Sequence, residues 1–259
     1  MQIIGVQLDI VWEDKRANFE QVDALLAKTE IEPDSLIVLP EMFATGFSMN
    51  VATVCEDETR PTGRFLAELA QKHRAYVLGG LVEQAADGRG RNLAVAFDPS
   101  GHEIARYCKL HPFSMGGEAE HYLAGDRPVV FPWCGFTVGP LVCYDLRFPE
   151  VFRHAVAMGA DLLAVIACWP EVRESHWIAL LKVRAIENQA YVIGVNRTGS
   201  DPRLTYSGRS LIVDPQGEVL ADAGNLPGTI RAKLDQGATV RYRRSFPALQ
   251  DIRPEYRTE

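Results

Sequence analysis

The chain has 259 residues, 47% of them hydrophobic and 24% charged, which excludes an intrinsically disordered chain and supplies enough apolar side chains for one large core. A formal net charge of −7 argues against a nucleic-acid surface, because phosphate binding draws on clustered Lys and Arg and only Arg241-Tyr-Arg-Arg244 is locally basic. No stretch approaches the roughly 18 uninterrupted apolar residues of a membrane span, and the first residues lack a basic start and carry Asp9 and Glu13, unlike a signal peptide.

From the N-terminus, hydrophobic patterning predicts a strand over Gln2 to Leu8 and an amphipathic helix over Asp14 to Glu30 with Phe19, Val22, Leu25 and Leu26 on one face. The run Leu36-Ile-Val-Leu39 has no alternation, as expected for a strand covered on both faces. A helix follows over Thr62 to His73, then strands over Tyr76 to Glu83, Asn92 to Phe97 and Glu103 to Tyr107, with a turn at Asp87-Gly-Arg-Gly90. The second half repeats this order. Strand Phe136 to Val142, helix Pro149 to Met158, strand Leu162 to Ala167 and helix Val172 to Gln189 lead to strands at Tyr191 to Asn196, Arg209 to Val213, Glu218 to Ala221 and Thr229 to Leu234. Each half has a hairpin built on Asp-Pro-x-Gly, Asp98 to Gly101 and Asp214 to Gly217, where Pro presets φ and Gly supplies a positive φ.

Two like halves, each a sheet covered by helices, imply an α/β fold in which sheet packs on sheet as a four-layer α/β/β/α sandwich. No Pro/Gly/Ser-rich linker divides the chain, so residues 1–259 are read as a single domain. The segment 235–259 is a C-terminal extension without clear period, which packs either on a partner subunit or over its own domain. The five cysteines, at 55, 108, 134, 143 and 168, show no CxxC and no Cys/His ligand spacing. Reduced thiols, a cytoplasmic location and no metal site are the expectation.

In open α/β sheets, functional residues collect beyond the carboxyl ends of strands. Three chemistry-bearing residues end strands here: Glu41 after Leu36-Ile-Val-Leu-Pro40, Lys109 in Arg106-Tyr-Cys-Lys-Leu-His111, and Cys143 after Gly139-Pro-Leu-Val142. A strand–turn–helix elbow at Cys143 would expose a nucleophile and turn backbone N–H groups toward an oxyanion. Each residue also has an ordinary reading. An isolated Cys is usually a small buried hydrophobe, a Glu after a strand caps a helix, and a Lys after a hairpin points into water. His111 beside Lys109 is read as structural, since no papain-type signature accompanies it.

Taken together, Leu39-Pro-Glu-Met-Phe43, Tyr107-Cys-Lys-Leu-His111 and Cys143-Tyr-Asp-Leu-Arg-Phe-Pro-Glu150 resemble the three blocks of the nitrilase superfamily of carbon–nitrogen hydrolases, over nearly the whole chain. That resemblance implies a Glu41-Lys109-Cys143 triad, a thioester intermediate, an oxyanion hole of Lys109 and the Tyr144 N–H, and no cofactor. It also implies a second glutamate, assigned to Glu118 from its position ahead of Gly125-Asp126, with Glu120 the competing candidate. Glu41 would raise the Cys143 pKa and Lys109 would lower it, so Glu41 is expected to take the thiol proton during attack, with no thiolate waiting in advance.

Leu141-Val-Cys-Tyr-Asp-Leu-Arg-Phe-Pro149, Arg184 to Tyr191 and Asn196 to Asp201 resemble the omega-amidase branch, which cleaves the terminal amide of 2-oxoglutaramate and 2-oxosuccinamate. A distal carboxylate would need a guanidinium; candidates are Arg197, Arg203 and Arg147, the last equally readable as an internal ion pair with Asp145. Trp169 is a candidate apolar wall. The branch usually has Asn before this Trp-Pro, where the chain has Cys168. Other readings are an N-carbamoyl amidase, aliphatic amidase or nitrilase, or a non-catalytic binding scaffold. The resemblance further implies a homodimer or a multiple of dimers.

Overall fold

A computed structural model describes residues 1–256. The first half runs β1 (Gln2–Gln7), α1 (Lys15–Leu26), β2 (Leu36–Val38), α2 (Val51–Val54), α3 (Pro61–His73), β3 (Tyr76–Gln84), β4 (Gly90–Phe97) and β5 (Glu103–Cys108). After α4 (Glu118–His121), β6 (Tyr122–Leu123) and β7 (Phe131–Trp133) come β8 (Phe136–Val142), α5 (Pro149–Ala157), β9 (Leu162–Ala167), α6 (Glu174–Asn188) and β10 (Tyr191–Asn196). Four short strands follow, β11 (Thr198–Ser200), β12 (Thr205–Ser207), β13 (Leu211–Val213) and β14 (Val219–Asp222), then β15 (Gly228–Lys233) and α7 (Gln236–Ser245).

The strands form two large sheets of the same plan. One is ordered β15-β1-β2-β3-β4-β5 with β6 beside β4, the other β14-β13-β10-β9-β8-β7. In each, three parallel strands, β1-β2-β3 and β8-β9-β10, continue into an antiparallel pair joined by the Asp-Pro-x-Gly hairpin. The internal repeat is therefore structural.

Alternation along the strands sorts the core into layers. Ile3, Leu36, Val38 and Leu78 face the second sheet, where Val138 and Val142 meet them, while Ile4, Ile37, Leu39 and Val77 face Val22, Leu26, Leu66 and Leu69 of α1 and α3. Every residue of β2 and β9 is buried, as parallel strands covered on both faces require. The sandwich is four-layered, helices outside and sheets within.

Boundaries differ from the sequence reading for local reasons. Helix α1 begins after Asp14, whose carboxylate accepts the Ala17 N–H at 2.9 Å, and closes at Ala27 in tighter bonds from Lys28 and Thr29 to Leu25 and Leu26 carbonyls. Helix α6 starts at Glu174, because Glu171–Arg173 form a separate 3-10 turn. Arg209 has φ +54°, so the predicted strand from Arg209 starts only at Leu211. The tail holds helix α7, capped by Asp235 on the Gly237 N–H. It folds over its own domain: Arg243 donates to the Ala160, Asn188 and Gln189 carbonyls, and Gln189 donates to Phe246 O. Residues 257–259 of the extension lie outside the described residues. Among the described residues no helix is long and apolar enough to cross a membrane.

Candidate active site

Glu41 lies three residues beyond β2, fully buried, in a turn whose next residue, Met42, has φ +44°. The turn is pressed against β3 at Gly80, where a Cβ would stand 2.4 Å from Met42 N and 2.8 Å from Glu41 Cα. Only glycine admits that approach. Cys143 likewise sits at φ +48°, at the start of the 3-10 turn Cys143–Arg147 that follows β8. An L-residue there costs on the order of 1–3 kcal/mol and persists because its surroundings over-determine it.

Asp145 supplies that restraint. Its buried carboxylate accepts the Val142 N–H at 3.0 Å and the Tyr107 hydroxyl at 2.7 Å through Oδ2, and the His111 N–H at 3.0 Å through Oδ1. His111 Nδ1 also lies 2.8 Å from Oδ1, and its ring stacks on Phe148 at 3.8 Å. The Cys143 turn of one sheet is thus tied to the strand end that carries Lys109 in the other. His111 is a structural partner here, as expected. The Asp145–Arg147 ion pair considered from sequence does not form, because Tyr107 and His111 occupy the carboxylate.

Lys109 is 1% exposed and meets two carboxylates: Glu41 Oε1 at 2.9 Å, and Glu118 at 3.0 and 2.8 Å. Glu118 opens α4 and also accepts the Phe113 N–H at 2.6 Å, whereas Glu120 is exposed. Geometry therefore puts Glu118, rather than Glu120, beside the lysine. Burial alone would lower the Lys109 pKa, but Glu118 and Glu41 outweigh it and hold the ammonium well above its ordinary range. Two further donors fix the acids. Asn92 Nδ2 reaches Glu41 Oε1 at 2.7 Å and Glu118 Oε1 at 2.9 Å, and the Cys168 N–H reaches Glu41 Oε2 at 2.8 Å.

Cys143, Lys109 and Cys168 line one narrow cavity of about 40 Å³, with Tyr144, Trp169 and Phe113. Burial raises the Cys143 pKa well above the usual thiol range, Glu41 raises it further, and Lys109 only partly opposes them. A thiol so placed loses its proton less readily than a free one, and would need a base to take that proton before it could attack. Tyr144 is in the first turn of its short helix, where a backbone N–H has no intrahelical acceptor.

Of the cations expected from sequence, only Arg147 lines this cavity. Arg197 does not: it is fully buried, donates to the Thr198, Ile10 and Ser200 carbonyls, and lies 4.4 Å over the Tyr206 ring. Its guanidinium ties the segment after β1 to the β11–β12 hairpin, which corrects its reading as a substrate clamp. Arg203 is exposed and borders an outer chamber of about 320 Å³ that shares Phe47, Phe113, Arg173 and Leu204 with the inner cavity. Arg173, which sequence reasoning missed, stands beside Arg147 at the inner cavity. Arg147 lies 4.7 Å over Trp169 and Arg173 5.5 Å over Phe113, and among the described residues neither has a carboxylate within ion-pair distance. Trp169 lines the cavity, held by its indole N–H on Arg173 O at 2.8 Å.

Asn92 was also missed, although an asparagine in a buried strand is uncommon enough to be a signal. The model of the carbon-nitrogen hydrolase family matches residues 5–244. The chain belongs to that family. Among relatives of this carbon-nitrogen hydrolase, the omega-amidase YafV of Escherichia coli (strain K12) is 40% identical over 255 residues, covering 97% of this chain and 96% of the relative. The 2-oxoglutaramate amidase of Bacillus subtilis (strain 168) is 34% identical, covering 96% of each. Its fold is also that of XC1258 from Xanthomonas campestris, a CN-hydrolase superfamily protein solved with an arsenic adduct in the active site. That likeness has a TM-score of 0.89 at 31% identity and covers 97% of this chain and 96% of that one. The family membership carries the nitrilase-superfamily resemblance of the three blocks over to a shared fold.

Proposed function

We propose that this carbon-nitrogen hydrolase is a cytoplasmic omega-amidase. It cleaves the terminal carboxamide of a small 2-oxo dicarboxylate monoamide, 2-oxoglutaramate or 2-oxosuccinamate, to the acid and ammonia. The observation that carries the reading is one cavity lined by a thiol, an ammonium and two guanidinium groups that, among the described residues, no carboxylate neutralises. Full-length likeness to an omega-amidase and a 2-oxoglutaramate amidase supports the same substrate class.

In this reading Glu41 takes the Cys143 proton as sulfur attacks the amide carbon. The oxyanion that forms is met by the Lys109 ammonium and the Tyr144 N–H, each such donor being worth about 10²–10³ in rate. The proton on Glu41 passes to the amide nitrogen, the C–N bond breaks, and ammonia leaves a thioester on Cys143. Water then gives a proton to Glu41 as its oxygen attacks the thioester, and collapse returns the proton to sulfur and frees the acid. Glu118 holds Lys109 throughout. No step calls for a metal or an organic cofactor. The narrow cavity favours a slender acyl chain, and Arg147 with Arg173 would receive its distal carboxylate. Assembly as a homodimer belongs to the same reading.

The test is ammonia release from 2-oxoglutaramate by the pure protein and by Cys143→Ala, beside an uncharged amide of equal length. Release that survives in Cys143→Ala overturns the thioester route, and a preference for the uncharged amide overturns the substrate class.

A further inference from the structure

Asn92 bonds both acids of the buried cluster through its side chain and the Lys109 backbone through its main chain. Its side-chain nitrogen donates to Glu41 Oε1 at 2.7 Å and to Glu118 Oε1 at 2.9 Å, and its main-chain oxygen accepts the Lys109 N–H at 2.9 Å. The residue is 1% exposed, and its Oδ1 is buried with no hydrogen-bond partner. Carboxylates only accept hydrogen bonds, so the amide has one permitted orientation, with both N–H groups toward the acids. Turning it over would set a carbonyl oxygen against two anions. Leaving Oδ1 unpaired costs about 1–3 kcal/mol, which the fold sustains for a donor at this point.

The donor answers a specific difficulty. Glu41 and Glu118 converge on a single ammonium, away from water, so two like charges share one counter-ion. Lys109 can approach either acid along several directions, because an ammonium is a compact cation with rotatable donors. A planar amide cannot. It pins one oxygen of each acid, and with the Cys168 N–H on Glu41 Oε2 at 2.8 Å it fixes the Glu41 carboxylate at both ends.

We propose that Asn92 is a positioning residue for the amide hydrolysis: its side-chain amide holds Glu41 where it accepts the Cys143 proton and holds Glu118 on Lys109. The proposal rests on the reading of Glu41 as proton acceptor under Proposed function. It goes further by assigning the geometry of both acids to one neutral side chain that is not among the residues lining the cavity.

Asn92→Asp and Asn92→Leu are close in size to the native residue, and both are compared with the wild type in kcat, KM and the rate at which iodoacetamide alkylates Cys143. Misplacing a reacting group by about 1 Å costs about 10²-fold, so kcat and the alkylation rate are expected to fall together by about that factor while KM stays near the wild-type value. Alkylation needs no substrate. A wild type that alkylates readily but releases no ammonia places the fault in the assigned substrate, not in Asn92. Folded variants that keep wild-type kcat and alkylation, or that change only KM, overturn the proposal. If the leucine variant does not fold, the aspartate variant decides. If neither folds, the side-chain NH₂ protons of Asn92 in ¹⁵N-asparagine-labelled wild type decide: slow exchange and a shift on Cys143 alkylation support the role, and exchange as fast as a surface asparagine's overturns it.

Discussion

The Glu41 carboxylate accepts the backbone N–H of Cys168 at 2.8 Å, across 127 positions of sequence and from one sheet to the other. The thiol of Cys168 turns away, toward the Glu41 main-chain oxygen at 3.3 Å. What orients the acid is therefore a main-chain donor that any residue supplies. Cys168→Ala is expected to keep kcat within about threefold of wild type, the worth of one weak hydrogen bond. Steady-state kinetics on the folded variant check this, and a loss beyond tenfold would show that the sulfur itself is needed.

Arg147 and Arg173 stand side by side, among the described residues without a carboxylate partner, and the Arg147 pKa is lowered first by burial and then by Arg173. Guanidinium groups stay charged even so, and an anion relieves their repulsion. Arg173→Gln is expected to raise KM for 2-oxoglutaramate by about 10- to 100-fold, the range of a lost charge-assisted hydrogen bond, with little change for an uncharged amide. The ratio of kcat/KM between the two amides is the measurement. An equal loss on both would move the carboxylate site elsewhere.

How much of this was legible in the sequence depended on whether a residue's role is local. β2 and β9 announce themselves as unbroken apolar runs, and the repeated hairpin turns mark the two halves. Glu41, Lys109 and Cys143 were legible because each sits in a distinctive block at a strand end. Arg147, named from its place near Cys143, does line the cavity, but Arg197 and Arg173 could not be told apart, since they differ only in where tertiary packing sends a long flexible side chain. Arg197 was drawn into a ring of carbonyls from residues 10, 198 and 200. Asn92 was hidden by its place in an ordinary strand, and its partners come from two other segments. Helix α7 was missed because its face is too polar to show a period, and its docking relies on Arg243 reaching three carbonyls.

Asp145 carries no chemistry of its own, yet its buried carboxylate receives the Val142 and His111 N–H groups and the Tyr107 hydroxyl. Alanine would leave those donors unpaired inside the core, at about 1–3 kcal/mol each. Asp145→Ala is expected to lose at least about 3 kcal/mol of unfolding free energy, near the usual cost of breaking a buried charged network. Urea denaturation followed by circular dichroism gives the value, and a loss below 1 kcal/mol would mean that the nucleophile turn is held by something else.

Cys168 and Tyr107 both titrate well above their ordinary ranges because burial disfavours their anions, with Glu41 adding to the effect on Cys168 and Asp145 to that on Tyr107. As pH rises past about 8.5 for a thiol and about 10 for a phenol, the unfolded chain releases these protons while the folded chain keeps them. The folded state then binds more protons than the unfolded one, so unfolding free energy falls with pH. The slope is about 1.4 kcal/mol per pH unit for each group, from the ordinary value up to the raised one. Guanidinium denaturation at pH 7.5 and at pH 10.5 is expected to show a smaller alkaline loss in Cys168→Ala than in the wild type, because one of the retained protons is gone. An identical loss in the two proteins would mean that the Cys168 thiol ionises in the folded chain as readily as in the unfolded one, and that its burial beside Glu41 carries no such penalty.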